Sequence, residues 1–158
     1  MLELYQSESC SECAQVRRKL AAIGAPYVVR TVPMSRARRE RVVEAGGRPD
    51  IPLLLDPERG RTTYDVDEIV TQLGTEDAFG VDETADPGLA HLYQCEGDAQ
   101  SGLARKVLDL AGLDYVVHPV RPGAAEDVPR LLEPRTKAAR AGVAAIEDYA
   151  RAFKVRDA

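Results

Sequence analysis

A repeat within the chain constrains its fold more than any other feature. Leu4-Tyr5-Gln6 recurs as Leu92-Tyr93-Gln94, an offset of 88 residues. Without a gap, the same offset pairs Glu8 with Glu96, Arg17 with Arg105, Leu20 with Leu108 and Gly24 with Gly112. It then pairs Tyr27-Val28-Val29 with Tyr115-Val116-Val117, giving ten identities in 26 aligned positions. A later match, Ile51 to Pro57 against Val128 to Pro134, runs at an offset of 77, so the second copy is about eleven residues shorter between the two matches. Self-similarity of this kind predicts a small supersecondary unit used twice. The expected organisation is residues 1–80, a linker at 81–88, and residues 89–158.

Local patterns outline the unit. Strands are expected over Leu2–Gln6 and Leu89–Gln94. A helix is expected from Cys10 to Ile23, with Val16, Leu20 and Ile23 on one face and Gly24 as its C-terminal stop. A strand over Tyr27–Val32 closes a crossover whose length implies parallel pairing. A polar helix over Ser35–Ala45, a strand ending at Leu55, a turn at Asp56–Gly60, a strand over Arg61–Tyr64 and a helix capped by Asp65 or Asp67 complete the order βαβαββα. In the second copy, Arg135–Ala141 has helical composition. That copy is therefore expected to lack its fourth strand and to end in a long helix reaching about Phe153, with an apolar core that includes Leu110.

The chemistry concentrates in the first copy. Cys10-Ser11-Glu12-Cys13 opens a helix directly after a strand, where a thiolate gains from the helix N-terminus. The equivalent residues of the second copy are Asp98 and Ser101, which exchange no disulfides. A zinc site needs further soft ligands, and only Cys95, His91 and His118 remain, all in the other copy; redox, metal-binding and purely structural roles for the pair stay open on spacing alone. Cys95 aligns with Ser7 and reads as structural, the two histidines as ordinary residues, and Tyr5 and Tyr93 as core. A net charge of −5 argues against nucleic acid as a partner. The chain contains no apolar run long enough for a bilayer and opens without a signal-peptide pattern, so a cytoplasmic location is expected.

The strand, the Cys-x-x-Cys at the helix start and the later Ile51-Pro52 before a strand together resemble the glutaredoxins, and the glutathione S-transferase N-terminal domains that share their fold. The resemblance covers residues 2 to about 74 well and 90 to about 155 as a degenerate copy. It implies an α/β protein of two tandem thioredoxin-like units, the second truncated. It further implies a thiol–disulfide oxidoreductase with Cys10 as attacking and Cys13 as resolving cysteine, acting on a disulfide-bearing protein or small thiol. The alternative function is non-catalytic binding of a thiol or peptide. Pro52 resembles the family's cis-proline, which presents the backbone of Ile51 to a bound thiol peptide. Ser11, Glu12, Ile51, Pro52, Asp65, Val66 and Asp67 are the residues expected to meet substrate.

Departures from the family pattern bear on the thiol used. Glu12 sets a carboxylate beside the nucleophile and is expected to raise its pKa, while Arg17 and Arg18 are either a source of positive potential or solvated. Ser7 stands where many glutaredoxins have a lysine for a glutathione carboxylate. Tyr64-Asp65-Val66-Asp67 lacks the serine that holds the γ-glutamyl group, leaving Asp67. No tightly bound cofactor is expected; glutathione as a co-substrate is compatible with the class but is expected to bind weakly. The two copies are expected to pack on each other, with copy one covering an unpaired strand around Val128–Leu132.

Overall fold

The computed structural model describes residues 1–75, 86–124 and 127–156. Most of the expected linker, residues 81–85, lies outside them. The order of elements is β1 (Leu2–Gln6), α1 (Ser11–Ile23), β2 (Tyr27–Thr31), a 3-10 turn (Arg36–Arg38), α2 (Glu40–Gly46), β3 (Leu53–Asp56), β4 (Arg61–Thr63) and α3 (Val66–Leu73). The second half follows with β5 (Ala90–Gln94), α4 (Ala99–Ala111), β6 (Tyr115–Pro119), β7 (Arg130–Leu132), β8 (Ala139–Ala141) and α5 (Gly142–Arg156). It is a mixed α/β protein.

The eight strands of the described residues join one sheet, in the order β4-β3-β1-β2-β6-β5-β7-β8. The order reads the same outward from the centre in both directions. β1 runs parallel to β2 and antiparallel to β3, which pairs antiparallel with β4; β5 has the same relations to β6, β7 and β8. The centre is an antiparallel pairing of β2 with β6, in which Tyr27 faces Val117, Val28 faces Val116 and Val29 faces Tyr115. The Tyr-Val-Val of one half thus pairs with the Tyr-Val-Val of the other, and the halves share a continuous hydrogen-bonded ladder.

Strand alternation sends alternate side chains to opposite faces. On one face, Leu4, Tyr27, Val29, Leu54, Leu92, Tyr115, Val117 and Leu131 meet Val16, Leu20, Ile69, Leu108 and Ile146 from α1, α3, α4 and α5 in one buried cluster that crosses both halves. On the other face, α2 contributes Val42 to a smaller cluster with Val32, Ile51, Leu53, Cys10 and Cys13. The described part of the chain between β6 and β7 carries no helix matching α2. In the first half that stretch between the second and third strands carries α2.

Two expectations fail here. Arg135–Ala141 does not extend the last helix, because residues 139–141 form β8 on β7. Pairing overrides the helical propensity of this alanine-rich stretch: the unpaired backbone of β7 needs a partner, and the turn is locked by Glu133. Its carboxylate accepts from Arg140 Nε at 2.6 Å and from Thr136 Oγ1 at 2.8 Å. With β7 paired, copy one does not cover it. Leu110 is the second failure: it is 69% exposed and lies outside the core. Its neighbours Leu108 and Ala111 take the inward positions of α4, leaving Leu110 on the solvent side.

Candidate active site

α1 ends as its sequence predicts, at Gly24 with φ 65°, where the left-handed backbone suits a residue without Cβ. Its start sets the chemistry. Cys10 is the N-cap, with extended backbone (φ −83°, ψ 117°), and its Sγ accepts the Cys13 N–H at 3.1 Å. Cys10 and Cys13 form a disulfide, their Cα atoms 5.2 Å apart. Cys10 keeps 7% of its surface exposed and Cys13 none, so Cys10 is the more accessible residue of the pair. Ser11 and Glu12 are exposed in the first turn.

The Ile51–Pro52 peptide is cis, as is Val128–Pro129 in the second half. Ile51 shares the small apolar cluster with Cys10 and Cys13, and Tyr5 and Tyr64 pack on its rim. Arg48 stacks 4.1 Å above the Tyr64 ring, and the Tyr64 hydroxyl donates to the Arg48 carbonyl at 3.2 Å. The sequence did not single out Tyr64; its place beside a Cys-bearing helix depends on the β3–β4 hairpin.

The residues at the start of α3 play a different part. Asp65 caps the helix, its Oδ1 accepting the Glu68 N–H at 2.9 Å. Val66 packs against the large core rather than the cluster that holds the cysteines. Asp67 is exposed, and its carbonyl accepts the Thr71 hydroxyl at 2.8 Å.

In the second half, Asp98 is the N-cap of α4 and its carboxylate accepts the Ser101 N–H at 2.7 Å, the same bond that Cys10 makes with Cys13. An oxygen cap thus replaces a sulfur cap. Cys95 is half-buried, and burial, followed by the charges of Asp98 and Glu96, pushes its thiol pKa up. His91 and His118 are buried with ring nitrogens 2.9 Å apart, and Tyr93 stacks on His118. Among the described residues no group of three His, Cys, Asp or Glu is placed to hold a metal ion, and no helix is long and apolar enough to cross a membrane.

Arg17 does not sit on a solvated face. It is buried where the halves meet, within a cluster of two guanidinium groups and two carboxylates. Arg105 Nε lies 3.0 Å from Glu8 Oε1 and Arg105 Nη1 3.1 Å from Glu96 Oε2; Arg17 lies 3.4 Å from Glu8 and 3.8 Å from Glu96. Gln6 and Gln94 accept from Arg17 and Arg105 respectively. Burial holds the Glu8 carboxyl above its ordinary pKa, even though Arg105 and Arg17 pull it down. Burial likewise drives the Tyr27 and Tyr115 hydroxyls far upward, so both stay neutral. The signal for this cluster lay in the repeat itself, which pairs Gln6, Glu8 and Arg17 with Gln94, Glu96 and Arg105.

No curated protein and no solved structure matches the chain. Residues 2–55 match the family model described as glutaredoxin. That span contains the strand, the Cys10–Cys13 helix start and the Ile51–Pro52 turn. The segment from Leu2 to Leu55 is therefore similar to the glutaredoxins, and its strand-helix-strand start is consistent with a thioredoxin-like fold.

Proposed function

We propose that the protein is a thiol–disulfide oxidoreductase, working through Cys10 and Cys13 on disulfides of proteins or small molecules. One observation carries the reading: Cys10 Sγ sits at the N-terminus of α1, accepting the Cys13 N–H, beside a second cysteine within disulfide reach. In the reduced state the same N–H and the helix dipole stabilise a thiolate on Cys10. That thiolate attacks one sulfur of a substrate disulfide, forming a mixed disulfide and expelling the other sulfur as a thiolate. Cys13, as thiolate, then attacks Cys10 Sγ, releases the second substrate thiol and leaves the Cys10–Cys13 disulfide. An external thiol reductant returns two electrons and two protons to restore the dithiol.

The halves are read as duplicates, of which the second is redox-inert because Asp98 and Ser101 occupy its cap positions. Glutathione is not favoured as the thiol. Ser7 is 4% exposed, and Asp65 is engaged as a helix cap. The test is trapping. Cys13→Ser is expected to accumulate mixed disulfides with a disulfide substrate, and Cys10→Ser is not. Equal alkylation of both reduced thiols at neutral pH would refute the assignment.

A further inference from the structure

The turn before Cys10 is held from the other half of the molecule. Cys10 N–H donates to the Ser7 carbonyl at 3.1 Å, so the Ser7–Cys10 turn sets where the sulfur meets the helix start. Glu8 N–H donates to Asp109 Oδ1 of α4 at 3.1 Å. The Glu8 carboxylate accepts from Arg105 Nε, also on α4, at 3.0 Å. One helix of the second half therefore grips Glu8 in this turn twice, by backbone and by side chain.

The grip is one-sided. Arg105 has an equivalent in Arg17, but at the offset of 88 the residue matching Asp109 is Ala21, which has no acceptor to offer. The carboxylate is present only on the helix that faces the cysteine-bearing turn. A device serving the interface alone has no reason for this asymmetry; a device serving Cys10 does.

We propose that Asp109, supported by Arg105, is a positioning residue for the redox centre: the second half holds the Ser7–Cys10 turn so that Cys10 Sγ stays over the Cys13 N–H. This rests on the redox reading of the cysteine pair. Releasing the turn weakens the contact that stabilises a Cys10 thiolate. The reduced form loses more than the disulfide does, and the equilibrium shifts toward the disulfide.

The experiment titrates the full chain against glutathione redox buffers and measures Cys10 alkylation as a function of pH. Asp109→Ala is expected to shift the dithiol–disulfide equilibrium about tenfold toward the disulfide, about 30 mV for a two-electron couple, and to move the alkylation profile to higher pH. Asp109→Asn keeps an acceptor for the Glu8 N–H without the charge and is expected to titrate close to the parent. A charge effect alone would move both variants alike, so equal shifts overturn the proposal. Ile146→Ala, a truncation of the buried core in α5, lowers stability at a distance from the turn and is expected to leave both readouts in place. An Ile146→Ala shift as large as that of Asp109→Ala, or an Asp109→Ala variant that titrates like the parent, also overturns it. A parent chain with no reversible thiol–disulfide transition would instead overturn the redox reading, and this inference with it.

Discussion

Replacing Arg105 by Met tests the buried charge cluster most directly. Met keeps much of the apolar stem and removes the guanidinium, which is 5% exposed as a residue and lies 3.0 Å from Glu8 and 3.1 Å from Glu96. What remains is two carboxylates sharing Arg17, at 3.4 and 3.8 Å. Breaking a fully buried pair costs about 3–5 kcal/mol because a charge is left uncompensated. The glutamate side chains here keep 13% and 12% of their surface, so some water reaches them and the lower end applies, about 3 kcal/mol. For a chain of this size that corresponds to roughly 6–12 °C in Tm. The assay is urea unfolding followed by far-UV circular dichroism, with the denaturant slope expected to stay unchanged. Adding Glu96→Gln removes the surplus negative charge, so the double variant is expected to lose less than the sum of the singles, by about 1–2 kcal/mol. An Arg105→Met cost below about 0.5 kcal/mol, the range of an ordinary surface change, or strict additivity with Glu96→Gln, would show that the cluster is solvated in practice and refute the reasoning.

Two further outcomes follow from the shared sheet and the buried carboxyls. Residues 89–158 expressed alone lose the β2 partner of β6 and the carboxylate of Glu8 opposite Arg105. They are expected not to melt cooperatively, and a cooperative transition in that fragment would show that the halves are independent. Burial holds Glu8 above its ordinary 4.5 and Asp109 above its ordinary 3.8, with Arg105, Arg17, Glu96 and the Ser7–Glu8 turn as surroundings. A raised folded-state pKa means that the folded chain binds the extra protons. The contribution of these two groups is therefore present below their ordinary values and lost as pH rises through the raised ones. Glu8→Gln is expected to flatten part of that decline above pH 4.5; an unchanged slope in urea melts as pH rises from that value would contradict it.

Much of the architecture was legible because it is written locally. Val16, Leu20 and Ile23 lie on the inner face of α1, Gly24 adopts the left-handed backbone expected of it, and Cys10 stands at the cap where a strand gives way to a helix. Six of the ten identities at an offset of 88 also occupy matching places along β1, β2, β5 and β6, and Arg17 and Leu20 match Arg105 and Leu108 on α1 and α4. Periodicity and capping act over a few residues, so they can be read without knowing what the element meets.

Tertiary structure decided what each element meets. Arg17 on a helix reads as a solvated charge until α4 brings Glu96 and Arg105 against it across the central seam. Ser7 reads as a lost lysine until the fold buries it in the turn that Asp109, about a hundred residues away, holds through the Glu8 N–H. Residues 139–141 read as helix until β7 offers a ladder. In each case the deciding partner is distant along the chain. A strand pairing or a buried ion pair is stabilised by groups from two segments at once, so neither segment carries the information alone.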